Sequence, residues 1–132
     1  MIRLATEADI PWLVEQMLRV KAETNWRTLE GDYTAETLRP FLTTCLGSAH
    51  SVCYLWDDPM DAFCGVTLGA MYLPPHLPYV FEWGWAGPPR QSIECWRACR
   101  RWGQRHGAVL ASRGLADSRT TQIRETITWE RL

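Results

Sequence analysis

Hydrophobic residues along this chain recur first at helical spacing, then at alternate positions, then at helical spacing again. Ile2–Ala5 reads as a short strand. Ile10, Leu13, Val14, Met17 and Leu18 follow at i, i+3, i+4, i+7 and i+8 and predict a helix with one buried stripe. Thr6 and Asp9 offer capping oxygens to it, and Pro11 is tolerated only near a first turn, which sets the start close to Asp9. Thr24–Asp32 reads as a loop. Thr34 then caps a second helix through about Leu46, with Leu38, Phe41, Leu42 and Cys45 on one face and Pro40 as a possible kink.

After Gly47 the period shortens to two. Ser51–Trp56 and Phe63–Tyr72 flank the turn-forming run DDPMD and predict a β-hairpin. Pro74, Pro75 and Pro78 mark a loop before the strand Tyr79–Ala86. The helix Arg90–His106 follows; its pattern buries Ile93, Cys95, Trp96, Cys99 and Trp102 and exposes Arg97, Arg100, Arg101 and Arg105. Gly107 suits the left-handed residue that ends a helix. Ala108–Ser112 predicts a strand, Ser118–Glu125 a short helix capped by Asp117, and Ile127–Leu132 a terminal strand. The expected order is β-α-α-β-β-β-α-β-α-β. The unit Tyr79–Ser112 needs a right-handed crossover between parallel strands, while the hairpin is antiparallel. The fold class is therefore α/β (α+β with a mixed sheet), helices on both faces, in one domain over residues 1–132.

Composition narrows the function classes. Hydrophobic residues make up 46% of the 132 positions, enough for a real core. No apolar run approaches a membrane span, and MIRLATEADIPW places acids where a signal peptide is apolar, so a soluble cytoplasmic protein is expected. Five cysteines, odd in number and without a CxxC pair, read as buried reduced thiols. Cys95 and Cys99 have metal-ligand spacing, but no histidine stands at a companion spacing, so no metal is expected. The near-neutral net charge hides an asymmetry. From Arg90 onward there are nine arginines against four acids, and before it five bases against eleven acids. Such a half could meet a phosphorylated cofactor, an acidic partner or nucleic acid, or it could be a solvated helix face. No recognisable nucleic-acid motif accompanies the arginines.

Chemistry concentrates in Leu77–His106, LPYVFEWGWAGPPRQSIECWRACRRWGQRH. A strand that feeds a helix N-terminus can hold a phosphate, because the helix start exposes free N–H groups and partial positive charge. Glu82 lies on the strand before the junction, where a general base could sit. Trp83 and Trp85, two apart on a strand, are expected on one side, lining a cleft or stacking on an adenine or an aromatic amine. No histidine has a serine or cysteine partner suited to a hydrolytic triad.

With these residues in hand, the chain resembles the GNAT superfamily of acyl-CoA-dependent N-acetyltransferases. IRLATEADIPWLVEQM is similar to that family's first strand and helix, DAFCGVTLGAMYL to its central strands, and YVFEWGWAG with QSIECWRACRRWGQRHGA to its cofactor-binding core, including W-x-x-x-x-G-A at Trp102–Ala108. The resemblance implies acetyl-CoA as cofactor, its pyrophosphate held on backbone amides of a glycine-rich loop. Aligned on Trp102, that loop falls on Gly87-Pro88-Pro89-Arg90-Gln91-Ser92. Arg90 and Ser92 stand at the glycine positions, and the two prolines supply no N–H. Gln91, Ser92 and Ile93 amides and the Arg90 guanidinium are the expected phosphate donors. Glu82 matches the family's general base, which acts through water on the amine; a raised carboxyl pKa would suit it. The family's tyrosine acid has no counterpart in Ser118–Glu125, where Ser118, Thr120 and Thr121 are weak substitutes, and the final hairpin reads as truncated to one strand.

Two functions follow. One is an acetyl-CoA-dependent N-acyltransferase acting on a small-molecule or protein amine. The other is an inactive GNAT-like structural or interaction protein with protein partners in an assembly. Short members of this kind occur among bacteriophage gene products, which would place the chain in a virion.

Overall fold

The computed structural model describes residues 1–24, 33–117 and 124–132. Six strands form one mixed sheet in sequence order: β1 (Ile2–Leu4), β2 (Ser51–Trp56), β3 (Ala62–Ala70), β4 (Pro78–Ala86), β5 (Leu110–Asp117) and β6 (Arg124–Arg131). Neighbours are antiparallel except β4 and β5, which are parallel because the helix α3 (Pro89–Arg105) crosses between them. Helices α1 (Ile10–Thr24) and α2 (Ala35–Gly47) connect β1 to β2.

Each helix docks the stripe its sequence spacing provides. Ile10, Leu13, Val14 and Met17 of α1 and Leu38 and Leu42 of α2 pack with Cys53, Leu55 and Phe63 on one sheet face. Cys95, Trp96, Cys99 and Trp102 of α3 pack with Cys64, Val66, Val80 and Ala111 on the other. All five cysteines are free and buried, and none of the described helices is long and apolar enough to cross a membrane.

Thr34 caps α2 as expected, whereas Asp9 bonds back to an amide that precedes it rather than to the helix that follows. The Asp9 carboxylate accepts from the Thr6 amide at 2.8 Å, and Thr34 and Thr37 exchange reciprocal side-chain-to-amide bonds at the start of α2. Gly107 ends α3 at φ +84°.

Three expectations need correction. The predicted helix Ser118–Glu125 conflicts with Asp117 closing β5 and Arg124 opening β6; residues 118–123 lie outside the described set, as does most of the loop Thr24–Asp32. Arg124 and Glu125, the described end of that span, pair with Asp117 and Ala116 of β5, so strand pairing decides those two positions. Ile93 is 42% exposed, and Ser92, one position earlier on the helix, is buried in its place. Phe41 is 40% exposed, on the rim of the stripe, where its ring meets Trp83 edge-on at 5.4 Å.

Candidate functional site

The site forms where β4 and β5 part. Tyr79, Val80 and Phe81 pair with Leu110, Ala111 and Ser112, and beyond them the two strands run on unpaired with each other. A β-bulge lies at the parting. β3 and β4 pair Val66 with Glu82 and Gly65 with Gly84, so Trp83 is an extra residue without a partner position. A bulge adds a bend and twist to its strand, which turns β4 away from β5.

The same bulge corrects the expected placement of the tryptophans. Trp83 packs on the α1/α2 side, donating its indole N–H to Ser51 Oγ at 3.3 Å, whereas Trp85 joins the α3 side. An added residue reverses the alternation, so Glu82 and Trp85, three apart, share a face. Gly65 accommodates the bulge, because a Cβ there would collide with the Trp83 indole.

Glu82, Trp85, Cys64, Ser92, Ile93, Trp96 and Arg113 line the resulting cleft, which has room for about one water molecule. The Gly114 amide donates to Glu82 Oε2 at 3.5 Å, a long bond that spans the parting. Arg113 lies over the Trp96 ring, 5.7 Å from its centroid, and its Nε is 4.0 Å from Glu130 Oε1. Arg100 Nε approaches the other Glu130 oxygen at 3.3 Å. An arginine from β5 and a tryptophan from α3 thus stand together on the wall of the cleft. Sequence spacing gave no sign of Arg113; only the β4–β5 register brings it opposite Glu82.

The start of α3 adjoins this cleft. Gly87, at φ +126°, makes the turn; a Cβ there would lie 2.6 Å from the Ala62 Cα and from the Asp61 carbonyl oxygen. Pro88 is the cap and Pro89 the first helical residue, which leaves no N–H at either position. The Ser92 amide donates to Pro88 O at 2.9 Å, and its hydroxyl lies 3.2 Å from Pro89 O. Ile93 is a full turn into the helix, where amides belong to the ladder. The free donors of the first turn are the amides of Arg90 and Gln91, and Arg90 is itself exposed. Of the six residues expected to hold a cofactor, Trp85, Ser92 and Ile93 line the cleft, Arg90 and Gln91 stand at its helix end, and Trp83 lies on the other face.

Burial pushes the thiols of this face up: Cys95 to about 12, and Cys64 well above its ordinary value. They are packing residues, without nucleophilic character. Among the described residues no three His, Cys, Asp or Glu side chains converge as metal ligands.

The sequence matches no protein-family model and no curated protein. Solved structures do match. A probable acetyltransferase superposes with a TM-score of 0.64 at 16% identity, over 86% of this chain and 75% of its own. An acetyltransferase from Vibrio fischeri gives 0.63 at 12% identity over 86% and 93%. An acetyltransferase of the GNAT family from Streptococcus pneumoniae gives 0.60 at 18% identity over 88% and 74%. The mixed sheet, its two helical layers and the parted strands β4 and β5 therefore give this chain the fold of GNAT-type acetyltransferases.

Proposed function

We propose that this protein transfers an acyl group from acetyl-CoA to an amine at the parting of β4 and β5. The observation that carries the reading is Glu82, a half-buried carboxylate placed by the bulge at the mouth of the cleft and held across it by the Gly114 amide. The Arg90 and Gln91 amides, the Arg90 guanidinium and the positive end of α3 suit a pyrophosphate. When bound there, the thioester supplies the acetyl group. In the transfer the neutral amine nitrogen would bond to the acetyl carbon, the C–S bond would break with coenzyme A leaving as its thiolate, and Glu82 would take the surplus proton of the amine through a water molecule. The cleft has room for about one water molecule, so entry of the acyl chain needs its lining side chains to move.

A second reading rests on the same junction. Two prolines and only two free amides make a poor phosphate cradle, and the cleft is narrow. These observations favour a GNAT-like protein without catalysis that serves as a structural or interaction component.

Calorimetry with acetyl-CoA separates the two. Heat of binding and acetylation of a panel of primary amines are expected from the first reading; no heat and no thermal shift at about 1 mM cofactor, a level well above ordinary enzyme affinities, overturns it. If binding occurs, Glu82→Gln should lower kcat by about 10²-fold or more and leave cofactor affinity within about twofold. Unchanged turnover removes Glu82 from the reaction.

A further inference from the structure

The parting of β4 and β5 opens onto both faces of the sheet. On the α3 face stands the helix start that suits the phosphates of a cofactor. An acceptor amine then reaches the parting from the opposite face.

That opposite face is aromatic. Val80 packs on the α3 side, so Tyr79 and Phe81 take the other side by strand alternation. Tyr79 meets Phe81 at 5.9 Å and Trp129 of β6 at 5.3 Å, so the three rings form one group. The register sets this group at the end of the parting. Phe81 pairs with Ser112, the last position joining β4 to β5, and Ser112 pairs with Trp129. Two rings thus flank the buried Ser112, and Tyr79 closes the side away from the parting. The next row toward the parting holds Ile127 opposite Gly114. The glycine leaves the floor there without a side chain, and its amide is the one that reaches Glu82. Phe81 is 37% exposed, Trp129 46% and Ile127 53%. Scattered exposed apolar residues are ordinary, but a contiguous aromatic shelf that leads to a carboxylate has the make-up of a ligand site.

Charge narrows the occupant. In the rows from Leu110 to Gly114 the strands present no carboxylate on this face, and their one charge there is Arg131, opposite Leu110. A polycationic amino sugar would bring several ammonium groups to a surface that pairs none of them. A single amine on an aromatic body fits, because its ring meets other rings and its nitrogen meets Glu82 through the parting. From Ser112 to Gly114 the strand rises about 7 Å, a distance that a ring and a two-carbon chain cover. On the acyl-transfer reading of the site, we propose that this shelf seats the body of the acceptor. The substrate is an arylalkylamine, a primary amine two or three carbons from an aromatic ring.

Ligand-observed NMR with the full chain and no cofactor tests the shelf directly. 2-Phenylethylamine should bind with a Kd of about 1 mM or tighter, within reach of so small a ligand. Ethylamine, which lacks the ring, and kanamycin, a polycationic amino sugar, should bind at least tenfold more weakly. Equal affinity for the three, or no binding of 2-phenylethylamine at about 10 mM, overturns the proposal. Trp129→Ala and Phe81→Ala should each weaken binding about fivefold or more with an unchanged circular dichroism spectrum, and Trp129→Phe should keep most of it. Binding that neither alanine variant moves lies elsewhere and overturns the shelf. Loss of binding as the chain self-associates gives the shelf to a second copy and overturns it as well. The transfer and the shelf fail separately. Turnover with acetyl-CoA that favours 2-phenylethylamine over ethylamine at least tenfold in kcat/KM supports both. Turnover without that preference overturns the shelf and leaves the transfer standing. A bound arylalkylamine, with no heat from acetyl-CoA, overturns the transfer and upholds the shelf.

Discussion

Arg3 shows how much one side chain near the start of the chain can organise. Its guanidinium makes a two-pronged bond to Asp9, 2.8 Å on each arm, and its Nε reaches Asp57 at 2.5 Å, tying β1 to the helical turn before α1 and to the β2–β3 turn. The Arg3 bond holds the Asp9 carboxyl down from 3.8 to about 2, outweighing the burial that would raise it. A carboxyl lowered on folding adds stability that is complete above its unfolded value and is lost as the pH falls through the folded one. Acid unfolding should therefore begin below about pH 4 and steepen toward pH 2, with Asp9 contributing about 2 kcal/mol. Asp9→Asn should cost a similar amount at pH 7 and flatten the pH dependence of Tm between 4 and 2; a parallel curve would show that the pair is not the source. Sequence reading found Asp9 as a capping residue but not its arginine, since a strand residue six positions away carries no local signal of the pairing.

At the scale of elements, most of the chain was legible because each helix and strand carries its own period. Thr34 before α2, Gly107 after α3, and DDPMD between β2 and β3 are local signals, and local signals survive folding. The bulge at Trp83 was not legible. Nothing in VFEWGWAG marks the extra residue; it shows only when β4 is laid against β3, where Gly65 leaves room for the Trp83 ring. Hence Trp83 and Trp85 were assigned one face and take two. Gly65→Ala should push that indole out of place and cost about 1–3 kcal/mol, read as a fall in the denaturation midpoint. Gly87→Ala meets backbone rather than a movable ring, at a φ that L residues avoid. It should destabilise by about 2–4 kcal/mol and, where acetyl-CoA binds the parent chain, abolish that binding by displacing the α3 start. Stability retained in the Gly87 variant would show that the junction is not rigid.

For the molecule as a whole, the mixed sheet with helices on both faces could be read from element order and the crossover rule, without any catalytic residue. The cleft could not, because it depends on where two parallel strands stop pairing and on which β5 side chains then line it. The basic second half, an expected landing surface for anions, is partly spent internally: Arg97 pairs with Glu94, and Arg100 and Arg113 share Glu130. The buried cysteines have a consequence at the same scale. With the fold closed, each thiol is shielded, and it meets a solution reagent only when the packed layers separate. Modification by a small disulfide in native buffer thus becomes a clock for spontaneous opening, its rate set by the population of open molecules. The two cysteines of the α1/α2 layer, Cys45 and Cys53, and the three of the α3 layer report the two halves of the core separately, so mass spectrometry of the modified chain reveals which layer lifts first.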